Sequence, residues 1–264
     1  IGLGLGFSAS ELLDFYLKLG PDVFAGNRIL KFFRSVGIAK YNPQPLQDKL
    51  VEKFGDRKIG ESKTRLVIPS MNLNTLTVHI YKTSHHTRLM KDYKRPVVEA
   101  AMATAAAPTF FPSYKSAQGI PFIDGGLWAN NPMAVAAVEA LTILGWEAKD
   151  VRMLSLGCTQ IPPSIHWAQR FSLGLVYWGF KAKDAFMGGQ ASGALGMAQH
   201  LLGKDNVIRI NPVVPSGRYS LDSVKELEAL CGLGYEQARY SITDLMPIFF
   251  TAPAEPFESC HKLI

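Results

Sequence analysis

Short runs of branched apolar residues alternate along this chain with segments of helical periodicity, and that alternation leaves few folds open. "TRLVIPSMNL", "TLTVHIYKT", the apolar run Ile120, Phe122 and Ile123, "VRMLSLG" and "NVIRI" read as strands. Between and around them lie helices. Ser8 and Glu11 form a capping box ahead of Leu12, Leu13, Tyr16 and Leu19, which predicts a helix from about Ala9 to Gly20. Leu46, Leu50, Val51 and Phe54 mark a second, closed by Gly55, and Pro96 opens a third that has to end before Pro108. Asn130 or Asn131 is expected to cap a fourth, running from Met133 to Leu144 and ended by Gly145. Two more are expected near the end, one capped by Ser223 with Glu226 and one from Tyr235 towards Phe249. Strands separated by helices imply an α/β layered sheet.

Within 264 residues of 47% apolar content, with no evident linker, the expectation is one domain over residues 1–264. Three cysteines make no disulfide framework and suit a reducing, cytoplasmic setting. A net charge of +6 suits an anionic membrane surface, a phosphate-bearing ligand or nucleic acid, but ordinary enzymes are equally basic, and a nucleic-acid partner is not expected. No apolar run approaches the roughly 18 residues of a membrane span. The first residue is Ile, which fits a processed or truncated chain.

The chemistry concentrates in "FIDGGLWANNP", where Asp124 stands at the mouth of a strand and is followed by Gly125 and Gly126. Taken alone, Asp-Gly-Gly is a turn sequence. A carboxylate at a strand mouth is also a base that can take a proton from a serine hydroxyl without histidine, and two bare glycines leave room for nucleophile and substrate. The serine is harder to find. A nucleophile elbow needs glycine two residues to either side. Ser8 has the first glycine and lacks the second, whereas Ser155 and Ser172 have the second and lack the first. None is expected to be catalytic.

His85 and His86 point to different sides of their segment and lack a third ligand at useful spacing, so no metal is expected. "GLGLGF" lacks the spacing of a dinucleotide fingerprint and reads as a helix end packed closely on its neighbour. Residues 166 to 183 interleave Trp167, Phe171, Tyr177, Trp178 and Phe180 with Arg170, Lys181 and Lys183, which suits a membrane interface or an acyl pocket as much as a core helix.

"ATAAAPTFFP", "FIDGGLWANNP" and "MLSLGCTQ", in this order, resemble the patatin-like lipid acyl hydrolases. The resemblance implies a three-layer α/β/α fold with a mostly parallel central sheet. It also implies a Ser-Asp dyad in which Asp124 is the base, Gly125 and Gly126 in the substrate region, no cofactor, and a membrane lipid or fatty-acyl ester as substrate. The family's elbow and glycine-rich oxyanion loop precede a segment like "GLGLGFSASELLDFY", so the nucleophile is expected upstream of Ile1 and this chain alone is expected to be inactive. "YKTSHHTRLMKDYKRPVVEAAMATAAAPTFFP" further resembles bacterial patatins, some of them switched on by cyclic nucleotides, which adds a small-molecule or nucleotide activator to the expectations. The alternative is a patatin-derived lipid- or ligand-binding protein without catalysis.

Overall fold

The computed structural model of the chain describes residues 1–24, 38–162 and 175–263, without the side chains of 175–181 and 183. The chain divides into two compact units, Ile1–Trp128 with Ala254–Ile264, and Ala129–Pro253.

The first unit opens on a helix ending. Phe7 N–H donates to Gly2 O (3.1 Å) and Gly6 N–H to Leu3 O (3.0 Å), with Gly6 at φ +87°, which is a Schellman motif. "GLGLGF" is thus the helix end that its small residues suggest. The packing is as close as expected, since a Cβ on Gly4 would stand 2.7 Å from Ser62 Oγ. Ser8 then caps α1 (Ala9–Val23) with both halves of the capping box formed. This helix runs past Gly20 and through Pro21 to Val23, and the Phe24 N–H bonds back to Gly20 O (3.0 Å). Helix α2 (Gln44–Phe54) ends at Gly55, whose φ of +58° suits a residue without Cβ.

Strands β1 (Val67–Asn72) and β2 (Thr77–Lys82) pair antiparallel, and helix α3 (Val97–Ala105) follows. β3 (Tyr114–Lys115) and β4 (Pro121–Asp124) complete a sheet of order β2-β1-β4-β3. Every residue of α3 from Val97 to Ala103 is buried. Its alanines keep it slim enough to lie against the sheet, and it shares a core with Leu50, Phe54, Ile59, Ile68, Tyr81 and Phe122.

A single turn α4 (Gly126–Ala129) ends the first stretch of the first unit; in the second unit α5 (Met133–Val138) widens into a π turn over Glu139–Ile143 before Gly145 ends it at φ +68°. β5 (Met153–Leu156) pairs in parallel with β6 (Val207–Ile210), and the crossover between them contains helix α6 (Leu175–Leu202). Met133, Ala137, Ala194, Ala198, Leu202 and Val207 form the core.

The α/β class expected from the sequence is the class the chain adopts. The mostly parallel central sheet needs correcting: among the described residues the four-stranded sheet is antiparallel throughout, and β5–β6 is the parallel pair. The links at residues 73–76 and 116–120 are too short for anything but hairpins.

Two expectations near helix ends need correcting. Asn130 and Asn131 do not cap α5, whose N-cap position is Pro132; Asn131 Nδ2 instead donates to Ala191 O on α6 (3.1 Å). The two final helices are one, α7 (Leu227–Phe249), with Glu226 at its N-cap position and Ser223 in the turn before it. Gly232 and Gly234 separate the two apolar runs in sequence yet stay helical, at about 1 kcal/mol each relative to alanine.

Candidate active site

β4 delivers Asp124 to the end of a strand, and three neighbours fix it there. Its backbone N–H donates to Ala106 O (3.0 Å), just past the end of α3. It stands opposite Ser70 in the β1–β4 register. Its carboxylate Oδ1 accepts the Gly126 N–H at 2.7 Å. Burial pushes the carboxyl above the ordinary carboxylate range, and the Gly126 N–H opposes that by favouring the ionised form. The side chain is only partly buried, so the carboxylate combines a raised proton affinity with access.

Gly125 is buried against β1. A Cβ there would overlap the carbonyl carbon and oxygen of Pro69, a backbone group with no freedom to withdraw. The Pro69 carbonyl also accepts Thr104 Oγ1 from α3 (2.7 Å), and Trp128 Nε1 donates to the next carbonyl, Ser70 O (3.0 Å). Ser70 Oγ, fully buried, donates to His79 O on β2 (3.2 Å). The Pro69–Ser70 backbone is therefore the platform under the Asp-Gly-Gly segment, held by hydrogen bonds from α3, from Trp128 and across the sheet.

Sequence reasoning missed Pro69, Ser70, Thr104 and Trp128 as parts of this site. Pro69 carries a faint signal, being a proline inside an otherwise strand-like run. The role of "ATAAAPTFFP" is also visible here, because it supplies the carbonyl that receives the Asp124 N–H. The loop after it is braced: Phe110 and Phe111 N–H both turn back to Ala107 O, Thr109 takes φ +72°, and Lys40 and Tyr41 N–H bond to Thr109 O and Phe110 O. The Tyr41 ring lies parallel to Phe110 at 6.4 Å and beside Phe111 at 5.9 Å.

The other sequence candidates occupy structural positions. Ser8 Oγ caps α1, and Ser155 Oγ on β5 accepts Arg209 Nη1 at 2.6 Å. Ser172 lies outside the described residues, as does the start of the aromatic and basic stretch from residue 166. His85 is buried with Nδ1 2.8 Å from Thr83 Oγ1, and His86 Nδ1 accepts the Arg88 N–H. In "MLSLGCTQ" a Cβ on Gly157 would overlap the Asn211 side chain, while the Gly157 N–H continues the β5–β6 pairing to Ile210 O (2.8 Å).

The family model described as Patatin-like phospholipase matches residues 1–137, a stretch that holds Asp124 and every element around it. The chain belongs to the patatin-like phospholipase family. Lipid hydrolysis is the function class that membership brings. This patatin-like chain is 29% identical to a cGAMP-activated phospholipase of Pseudomonas aeruginosa over 87% of its own length and 68% of the relative's. It is 29% identical to another so named from Vibrio cholerae, over 98% of the chain and 81% of that protein. Patatin-like protein 3 of Arabidopsis thaliana is 35% identical over 50% of the chain and 34% of the plant protein. No helix among the described residues of this patatin-like protein is long and apolar enough to cross a membrane.

Proposed function

We propose that the protein hydrolyses fatty-acyl esters of membrane lipids through a Ser-Asp dyad in which Asp124 is the general base and the serine precedes Ile1. The observation that carries this reading is the Asp124 carboxylate, raised in proton affinity by burial, held by the Gly126 N–H and left partly open. A carboxylate so placed accepts the serine proton as the hydroxyl attacks the acyl carbonyl, and returns it to the departing alcohol. Gly126, partly exposed, is the bare backbone beside it over which the acyl group approaches, and Gly125 lets the segment seat on β1. The turn over Gly2–Phe7 has the hydrogen bonds of a Schellman motif, the ending that a helix takes, and that geometry supports the reading. An elbow serine sits just ahead of such a helix.

The relatives named cGAMP-activated phospholipase support a further element, a nucleotide that switches hydrolysis on. Contact with the membrane surface is proposed to be peripheral.

The test uses the protein with its preceding sequence. It is expected to label with a fluorophosphonate serine probe and to release fatty acid from phospholipid, and Asp124→Asn is expected to lower that rate by about 10² or more with the fold retained. Full activity in Asp124→Asn would remove the base from the reading. Lipid binding without labelling would favour a non-catalytic binder.

A further inference from the structure

The first unit holds a cavity of about 390 Å³ lined by Met90, Lys91, Lys94, Arg95, Pro96, Glu99, Ala117 and Gln118. Asp124, Gly125 and Gly126 are not among its lining residues. Its charges are unevenly committed. The Arg95 guanidinium is taken up by carboxylates, Nη1 lying 2.6 Å from Glu99 Oε1 and Nε 3.6 Å from Asp92 Oδ1. Glu99 is 3% exposed and also accepts Tyr81 OH (3.4 Å), so its negative charge faces inward. Lys91 and Lys94 have no such carboxylate partner among the described residues. Gln118 Oε1 accepts Arg95 Nη1, which leaves the amide NH2 as its donor end. The Lys91 ammonium, the Lys94 ammonium, which lies 5.5 Å over the Tyr93 ring, and an amide donor stand beside an apolar wall of Met90, Pro96 and Ala117.

The rim is built as well as charged. Asp92–Lys94 form a 3₁₀ turn, and the Asp92 carboxylate accepts the Lys82 backbone N–H. The loop leading into it is tied down at Ser84, whose carbonyl accepts the Cys260 N–H (2.7 Å) and whose Oγ accepts the His261 N–H (2.9 Å). His261 Nε2 lies 2.7 Å from Thr87 O, and its ring stacks on Tyr93 at 5.8 Å. A volume near 390 Å³ falls at the lower end of the small-ligand range, roughly 300–1,000 Å³.

From this arrangement we infer that the cavity binds a phosphate ester, the phosphate held by Lys91, Lys94 and the Gln118 amide and the organic part lying against Met90, Pro96 and Ala117. The chemistry fits a nucleotide phosphate and a phospholipid headgroup, and the source is decided by experiment. Binding to the full-length protein is measured by titration calorimetry with a cyclic dinucleotide, AMP and inorganic phosphate, and by co-sedimentation with phosphatidylglycerol or phosphatidylcholine vesicles. Organic phosphates are expected to bind more tightly than inorganic phosphate. Lys91→Ala with Lys94→Ala is expected to weaken that binding at least about tenfold, the scale of lost charge-assisted hydrogen bonds, while Lys204→Ala in the other unit leaves it unchanged.

Binding of nucleotide alone, or of phosphatidylglycerol alone, with loss in the double variant supports the site and identifies the source. No binding of any probe, an unaffected double variant, or equal loss in Lys204→Ala overturns it. The activator reading is tested separately: binding that does not change hydrolysis ends that reading and leaves the site standing.

Discussion

The carbonyl of Pro69 fills the space where a side chain on Gly125 would be. Both groups are backbone, one in β1 and the other in the residue that follows β4, so making room for a side chain would disturb the end of the β1–β4 pairing. Gly125→Ala is therefore expected to destabilise the protein by about 1–3 kcal/mol or more, as overpacking does, and to lower activity by displacing Asp124. Chemical denaturation with the activity of the remaining folded fraction measures both. Wild-type stability would show that β1 yields more easily than its hydrogen bonds to Thr104 and Trp128 suggest.

Asp124 has to be ionised to act as a base. Burial raises its pKa, so the acid limb of kcat/KM is expected above the ordinary carboxylate value of about 3.9, with activity lost as pH falls through the raised value. A pH–rate profile on a soluble ester reads this directly. An acid limb at or below the ordinary value would place the titration on another group.

The same shift bears on folding with the opposite sign. A carboxyl whose folded pKa is raised contributes stability below its unfolded pKa and loses it as pH rises through the folded one, so ionised Asp124 is a cost at neutral pH. Asp124→Asn keeps an oxygen for the Gly126 N–H and removes the charge. Its Tm is expected to exceed that of the wild type at pH 7, with the gap closing below the carboxylate range. A lower Tm at pH 7 would mean that the carboxylate is better compensated than this geometry implies.

Glu99 is the buried end of the Arg95 pair. Arg95 keeps Asp92 and Gln118 when Glu99 is removed, so Glu99→Ala is expected to cost about 1–3 kcal/mol, the scale of a lost charge-assisted hydrogen bond. His79 lies in the same neighbourhood, with Nε2 3.8 Å from Asp92 Oδ1 and its ring 4.5 Å from Tyr81 and 5.0 Å from Phe122. The loss should therefore extend to hydrogen-exchange protection along β2, and a change confined to the first turn of α3 would limit Glu99 to a local role.

Local signals were legible where one residue type does one job. Gly55 and Gly145 ended helices, Ser8 with Glu11 began one, and alternating branched residues marked β1 and β2. The place of Asp124 at the end of a strand was legible because a strand, a carboxylate and two glycines are contiguous. The supports of the site were not, since Thr104, Pro69 and Trp128 meet only once α3 and β1 are stacked. α7 was misread as two helices because Gly232 and Gly234 weaken a helix without obliging it to stop. At Gly125 freedom from a side chain was expected for substrate access, and in the fold the place of that side chain is taken by the Pro69 carbonyl.

Ser259, Cys260 and His261 reach back to Ser84, so residues 254–263 complete the unit that Ile1 begins. The second unit is in effect a long insertion between two parts of the first. On the ribosome, the strands and helices around Asp124 can form early, yet Ser84 gains its hydrogen bonds from Ser259, Cys260 and His261 only when the chain has been made through His261. Synthesis from the N-terminus therefore leaves this unit unfinished while the whole of residues 129–253 emerges, and its last step is a closure spanning 175 residues or more.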